Sequence, residues 1–326
     1  MEKKIKHIVD DLILYSKDGP LTEGSKSYLG DPNSEDYPAK LSDYIYRNFY
    51  ASIKDRKVAD QGEVFLLQQD QFTKLLIDSI GDQESTMDEG WVVKEKDKSS
   101  NVYVQKGQIA QLLLAGAYLN NSTSPIPVDI GLSVRKYQRF YSYEPGSYFF
   151  YAHGKTVGEY TNNFIVRYYF NISPEGMPQL LECICSLFNK FQIPFELKCP
   201  SHPSFFDRKD SCVLYLNKRF ASYVLPLMQR IHRNSSHHLE SETPFFTKEI
   251  LPGIGFAESP PKNAVSFGMS RCDLIAEALQ QCLIESKNQE GWYAYVLDHL
   301  QQRGFDTKAF FLNPNNHYPY ASPISN

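Results

Sequence analysis

Apolar positions along the first part of the chain recur with a helical period. Ile5, Ile8, Val9, Leu12 and Leu14 fall close to one face over Lys4–Tyr15, and Leu41, Tyr44, Ile45 and Phe49 repeat the pattern over Ala39–Tyr50. Between them Glu23–Tyr37 is rich in turn formers and reads as a loop. Glu63–Ile80 is a third expected helix, closed by Gly81. The pattern then changes to alternation. Gly90–Lys96 and Asn101–Gln105 predict a hairpin, Gln108–Leu119 a short helix and Val128–Tyr137 a further strand.

From residue 140 onward strands and helices interleave. The expected strands are Ser147–His153, Phe164–Ile172, Phe195–Cys199, Cys212–Leu216 and Phe245–Ile250. The expected helices are Pro178–Phe191, Arg219–Arg233, Arg271–Glu285 and Gly291–Arg303. Pro178 suits a helix start because its missing N–H has no partner to lose there. The order predicts an α+β fold: a mixed, mainly antiparallel sheet flanked by helices, behind a helical N-terminal segment. We divide the chain into a helical region (1–85) and an α+β domain (86–326). Within that domain, 88–137 form a small β subregion and 140–315 the main sheet and helices.

Composition narrows the function classes. A net charge of -4 over 326 residues lacks the basic excess of a general nucleic-acid binder. No apolar run approaches the ~20 residues that span a bilayer. The opening MEKKIKHIVDDLILYS is broken by Asp10 and Asp11 and reads as an amphipathic helix, so a cytoplasmic protein without nucleic-acid or membrane partners is expected. The six cysteines are too few for a disulfide scaffold, and Cys183-x-Cys185 lacks zinc spacing, so buried thiols are expected. With 22 Tyr and 21 Phe, clusters such as FYSYEPGSYFFYAHG suit either a groove or a core face.

The candidate chemistry lies in Phe195–Asp210, Thr243–Pro252, Gly253–Pro260 and Ser266–Glu277, where Pro and Gly punctuate short charged runs. Lys198 ends an expected strand, His202 lies in the following loop, and Arg208, Lys209 and Asp210 precede the next strand. Arginine holds phosphate through two donors, and a desolvated lysine serves as a base. Arg167 sits mid-strand with Tyr169 on the same side, and must be paired or line a cavity. Lys248 ends a strand before a PGIG turn, with Glu258 beyond it. Ser266 precedes the helix bearing Arg271, either as a plain N-cap or as part of an anion site. His153 stands at a strand end as a possible acid, and His237-His238 reads as solvated.

Taken in order, YFFYAHG (148–154), VRYYFNISPEG (166–176), PFELKCPSHPSFFDRKD (194–210), VLYL (213–216), FTKEILPGIGFAESP (246–260), SFGMSRCDLIAE (266–277) and FLNP (311–314) resemble the HopA-type effector family. Its founding member is a type III secreted effector of plant-pathogenic bacteria. Relatives occur in clusters that make ribosomal peptide natural products, including class V lanthipeptides and thioamitides. There they accompany a kinase-like protein and are assigned as phosphothreonine and phosphoserine lyases. The resemblance covers roughly 88–315.

It implies a lyase that acts on a phosphorylated precursor peptide, with a kinase-like partner and no cofactor or metal. Such an enzyme expels phosphate to leave a dehydroamino acid. On that pattern Arg167, Arg208 and Arg271, with Ser266, hold phosphate. Lys198 or Lys248 is the base and His202 the acid, supported by Asp210, Glu258, His153 and Tyr169. Better-known phosphothreonine lyases carry Lys-x-His, whereas Lys198 and His202 are four apart. The alternative is a non-catalytic effector-type protein that binds a peptide or protein through the same groove.

Overall fold

A computed structural model describes residues 1–17, 29–53, 62–81, 87–107, 109–120, 128–137, 140–156, 164–261, 266–285, 288–316 and 320. The N-terminal part holds α1 (Glu2–Lys17), α2 (Tyr37–Ile45), a π-helical turn (Tyr46–Tyr50) and α3 (Glu63–Ile80). Ile5, Ile8, Val9 and Leu12 of α1 are buried as their spacing requires. Gly81, at φ 76°, ends α3 where a residue with Cβ would be strained. Part of the loop expected over Glu23–Tyr37 lies outside the described residues.

Two antiparallel sheets follow. The smaller has the order β3-β2-β1-β5-β4 and comprises β1 (Met87–Lys96), β2 (Val102–Lys106), β3 (Ile109–Leu113), β4 (Tyr118–Asn120) and β5 (Ser133–Tyr137). It encloses its own cluster around Trp91, Val104, Tyr118 and Val134. The expected helix over Gln108–Leu119 is here β3, a turn and β4. Leu112 and Leu114, which give that stretch its apolar look, are exposed, and Gly116 turns the chain at φ 89°. Pairing with β2 decides the conformation, as it often does for short apolar runs.

The larger sheet has the order β11-β12-β8-β10-β9-β7-β6. Its strands are β6 (Tyr141–Ser142), β7 (Phe149–His153), β8 (Ile165–Phe170), β9 (Glu196–Pro200), β10 (Cys212–Asn217), β11 (Lys248–Leu251) and β12 (Ile254–Glu258). Its helices are α4 (Met177–Lys190), α5 (Leu225–Ser235), α6 (Phe267–Ile284) and α7 (Trp292–Gln302). The expected helix over Arg219–Arg233 begins later. Lys218–Phe220 is a 3-10 turn and Pro226 sits in the first turn of α5. β12 and the two-residue β6 are strands that the pattern does not predict. Pro252–Gly253 closes a tight hairpin after β11, with Gly253 at φ 75°, and GFAE continues as a wholly buried strand beside β8.

Strand alternation sends alternate side chains into two cores. Phe150, Val166, Tyr168, Leu197, Leu214 and Phe256 face α4, α5 and α3. Tyr169, Val213 and Ala257 face the opposite way, against α1, α2, α6 and α7. Five of the six cysteines are buried and none forms a disulfide. Among the described residues, no helix is long and apolar enough to cross a membrane.

Candidate functional site

Register brings the candidate residues together. One cross-strand row on the second face runs Ala257, Arg167, Tyr215, Glu196, His153. The adjacent row runs Gly255, Tyr169, Val213, Lys198, Tyr151. Helices α6 and α2 cover the part of this face nearer β12. On β9 and β7, Glu196, Lys198, Phe149, Tyr151 and His153 are only half-buried, at the margin of the helical layer.

Lys198 is the centre of this margin. Its Nζ lies 3.5 Å from the centre of the Phe149 ring and 5.9 Å from that of Tyr151. Among the described residues its amine makes no hydrogen bond or ion pair. Burial lowers its pKa, the Arg208 charge lowers it further and Arg167 adds to this, against Asp210 and Glu196. Two residues back on the same strand, burial raises the Glu196 carboxyl, with Lys198 opposing. His153 Nδ1 is 3.7 Å from Glu196 Oε2, too long for a firm hydrogen bond. Burial and then Lys136 lower the His153 pKa, so the imidazole is held towards its neutral form.

Arg167 Nε donates to Ser259 Oγ at 2.8 Å and its guanidinium lies over the Tyr215 ring at 5.3 Å. Burial works against its charge, but Tyr169 and Tyr215 more than offset that. Arg208 forms a two-pronged pair with Asp210: Nε to Oδ1 at 2.6 Å and Nη2 to Oδ2 at 2.9 Å. Its Nη2 also donates to Tyr46 Oη at 2.7 Å, and that hydroxyl donates to Asp210 Oδ2 at 2.9 Å. The Nη1 edge of Arg208 takes no part in these bonds. Tyr50, from the same π-helical turn, is buried beside Tyr169 and stacks with Tyr46 at 5.1 Å.

Other candidates lie elsewhere. Lys248 pairs with Phe256, which pairs with Tyr168, so it occupies the sheet face opposite Lys198. His202 is buried in the loop after β9, stacked on Phe65 at 3.9 Å, and its Nδ1 accepts from Ser204 N at 3.1 Å. Ser266 Oγ accepts from Met269 N at 3.2 Å, which is plain N-capping. Arg271 is buried among Phe267, Phe305 and Phe310. It donates to the carbonyls of Phe310 at 2.9 Å and Leu312 at 2.8 Å. Glu258 faces the other core and accepts from Asn313 N at 2.8 Å, Asn316 and Tyr320, with Lys218 Nζ 3.1 Å away. Arg271 therefore ties the C-terminal segment to α6, and Glu258 ties it to the sheet.

Tyr46, Tyr50, Tyr215 and Glu196 are site residues that the sequence reading does not single out. Glu196 is legible in principle, since i and i+2 on one strand share a face. Tyr46 is not, because nothing local links it to a loop 162 residues away.

No curated protein matches the chain significantly. Two solved structures resemble it. The effector protein from Pseudomonas syringae pv. tomato strain DC3000 has a TM-score of 0.52 at 13% identity, over 96% of this chain and all of that one. The effector protein from Pseudomonas syringae pv. syringae strain 61 has a TM-score of 0.52 at 15% identity, over 97% of this chain and 99% of that one. At such identities the likeness is one of fold. The HopA1 effector protein family is matched over residues 142–312, a span that carries nearly all of the seven-stranded sheet together with α4, α5, α6 and α7. With more than half of its length matched, the chain belongs to the HopA1 effector protein family.

Proposed function

We propose that the chain is a lyase that eliminates phosphate from phosphothreonine or phosphoserine in a precursor peptide, after a kinase-like partner has phosphorylated it in the cytoplasm. The observation that carries this reading is Lys198: a half-buried amine with a lowered pKa, on the same sheet face as Arg167 and within the electrostatic reach of Arg208. An amine that gives up its proton more readily, beside two fixed cations, is what abstraction of a proton next to a phosphate dianion needs.

In the proposed step Lys198 takes the Cα proton of the phosphorylated residue. The C–H electron pair becomes the Cα=Cβ bond, and the Cβ–O bond breaks. Its electron pair leaves on the phosphate oxygen, which receives a proton from Glu196. The products are dehydrobutyrine or dehydroalanine and inorganic phosphate. Glu196 takes the acid's role in place of His202, because its carboxyl is raised and it lies two residues from Lys198, about 7 Å along the strand. Arg167 and the Nη1 edge of Arg208 hold the phosphate. Lys198 is the base in place of Lys248, since they occupy opposite faces.

One observation favours the second reading, a non-catalytic protein that binds a peptide or protein. Asp210 already neutralises Arg208 through two hydrogen bonds, which weakens its pull on a phosphate. The test is mass spectrometry of a phosphothreonine peptide incubated with the pure protein. Loss of phosphoric acid that slows sharply in Lys198→Ala and in Arg208→Gln supports the lyase. An intact phosphopeptide that nevertheless binds leaves the binding protein.

A further inference from the structure

We propose that Tyr46, which lies outside the matched segment 142–312, is the positioning residue that aims Arg208 at the substrate phosphate. The inference rests on the phosphopeptide reading of the site and deepens it.

Arginine has five N–H donors in one plane. In Arg208 the Nε–H goes to Asp210 Oδ1, one Nη2–H to Asp210 Oδ2 and the other to Tyr46 Oη. Both Nη1 hydrogens remain outside these bonds. The Tyr46 hydroxyl closes the figure by donating to Asp210 Oδ2. Two residues tied through both a carboxylate and a phenol form a triangle that cannot rotate about one bond. Without the phenol, the carboxylate alone would still hold Arg208, but the two side chains would be able to turn together as a pair.

An ion pair between Lys209 Nζ and Glu242 Oε2 at 2.7 Å also anchors the loop, which leaves the Arg208 side chain to Asp210 and Tyr46. Arg208, Lys209 and Asp210 lie between the 3-10 turn Pro203–Phe205 and β10. The Lys209 amide donates to Ala51 O at 2.9 Å, so the same π-helical turn grips the loop twice, once by backbone and once by Tyr46. The turn itself is fixed from behind. Tyr50 is buried, and Gly268 of α6 lies against its ring. The π-helical turn ends α2 and winds wider than an α-helix, which changes the direction of its side chains. Here it points Tyr46 at Arg208 and Tyr50 at Tyr169.

Tyr46→Phe keeps the ring stacked on Tyr50 and removes only the hydroxyl. The full chain is titrated by calorimetry with a synthetic phosphothreonine peptide, using the unphosphorylated peptide as control. The series is wild type, Tyr46→Phe, Arg208→Gln and the double variant, with elimination followed separately by mass spectrometry. The expected result is a Kd for the phosphopeptide roughly tenfold higher in Tyr46→Phe, the size of one charge-assisted hydrogen bond lost or misaimed. In the Arg208→Gln background the same change adds no further loss, because Tyr46 acts through Arg208. An unchanged Kd in Tyr46→Phe, or an equal loss in both backgrounds with a lowered melting temperature, overturns the inference and marks Tyr46 as structural. The outcomes separate the two readings. If the wild type binds the phosphopeptide without eliminating phosphate, the lyase fails while the cycle still decides Tyr46. If the wild type eliminates and Tyr46→Phe is neutral, the lyase stands and the positioning role falls. A wild type that does not distinguish the phosphopeptide from its control removes both.

Discussion

Lys198 Nζ stands 3.5 Å from the centre of the Phe149 ring, and the residue that pairs with Lys198 across β7 is Tyr151, not Phe149. The lysine therefore leans along β7, over the ring one step away. A ring face attracts an ammonium ion, so this contact by itself favours the charged form. Burial and the Arg208 charge act the other way and prevail. The balance leaves an amine that is held in place as a cation yet gives up its proton more readily than an exposed lysine.

On the proposed reaction, Lys198→Ala removes the base while leaving both arginines. Elimination from a phosphothreonine peptide falls on the order of a thousandfold, the usual contribution of a positioned base. Peptide binding changes little, so the loss appears in kcat. A variant that loses affinity and keeps kcat makes Lys198 a phosphate ligand instead.

The pH profile carries a signed test. The rate rises with pH as Lys198 loses its proton. Arg208→Gln removes a charge that lowers the Lys198 pKa, so the rising limb moves to higher pH. Asp210→Asn removes a charge that raises it, so the limb moves to lower pH. Opposite displacements, measured from kcat/KM across pH, identify the limb with Lys198. Displacements of the same sign, or none, assign it to another group.

Lys248→Ala gives the contrasting case. Its register partner Phe256 faces the α4 and α5 core, so the lysine is separated from Lys198 by the thickness of the sheet. Elimination at saturating peptide is expected to stay within about twofold of wild type, the range of surface substitutions away from a site. A loss comparable to that of Lys198→Ala would return Lys248 to the chemistry.

Alternation alone makes one part of this site legible. Once VRYYFN and FELKC are recognised as strands, Arg167 and Tyr169 share a face, as do Glu196 and Lys198. What alternation does not give is which strands are neighbours, and so which faces coincide. Lys198 and Lys248 look equivalent as strand-end lysines, and only the insertion of β12 between β11 and β8 fixes their opposite faces. β12 itself escapes because GIGFAESP reads as turn chemistry, while its burial comes from neighbours distant in sequence. Tyr46 escapes for the same reason: its partners come from the loop before β10, 162 residues away in sequence. The apolar stripes of α1 and α4 needed no such information, and both helices are found where their periods put them.

Gly268 sets helix propensity against packing. Alanine within a helix is favoured over glycine by about 1 kcal/mol. A Cβ at Gly268, however, would come within 2.2 Å of Tyr50 Cε1 and 2.5 Å of its Cζ. Tyr50 is buried and stacked, with no space to retreat. Overpacking of this kind costs about 1–3 kcal/mol, so the net sign is destabilising. Gly268→Ala should lower the denaturation midpoint with an unchanged slope. A raised midpoint would mean that the π-helical turn and α6 part easily, and the fixed platform behind Tyr46 would be lost as an argument.

Glu258 is where stability and pH meet. Burial alone would push its carboxyl up, but the Asn313 amide, Tyr320, Asn316 and Lys218 outweigh that and hold it below the usual carboxylate range. A depressed folded-state pKa means that the unfolded chain binds the proton first as pH falls. The stabilisation is therefore complete above the unfolded pKa and is lost as pH drops through the folded one. Glu258→Gln keeps the shape but turns an NH2 towards donors and leaves Lys218 facing a neutral group. A loss of about 3 kcal/mol near neutral pH is expected from breaking such a buried, hydrogen-bonded charge. The gap between wild type and variant should narrow in acid, below the ordinary carboxylate range, because protonation makes the wild type resemble the variant. Chemical denaturation at several pH values measures both curves. A gap that stays constant down to that range would show that the carboxylate charge does no holding, and that the C-terminal segment is fastened by Arg271 and its carbonyl bonds alone.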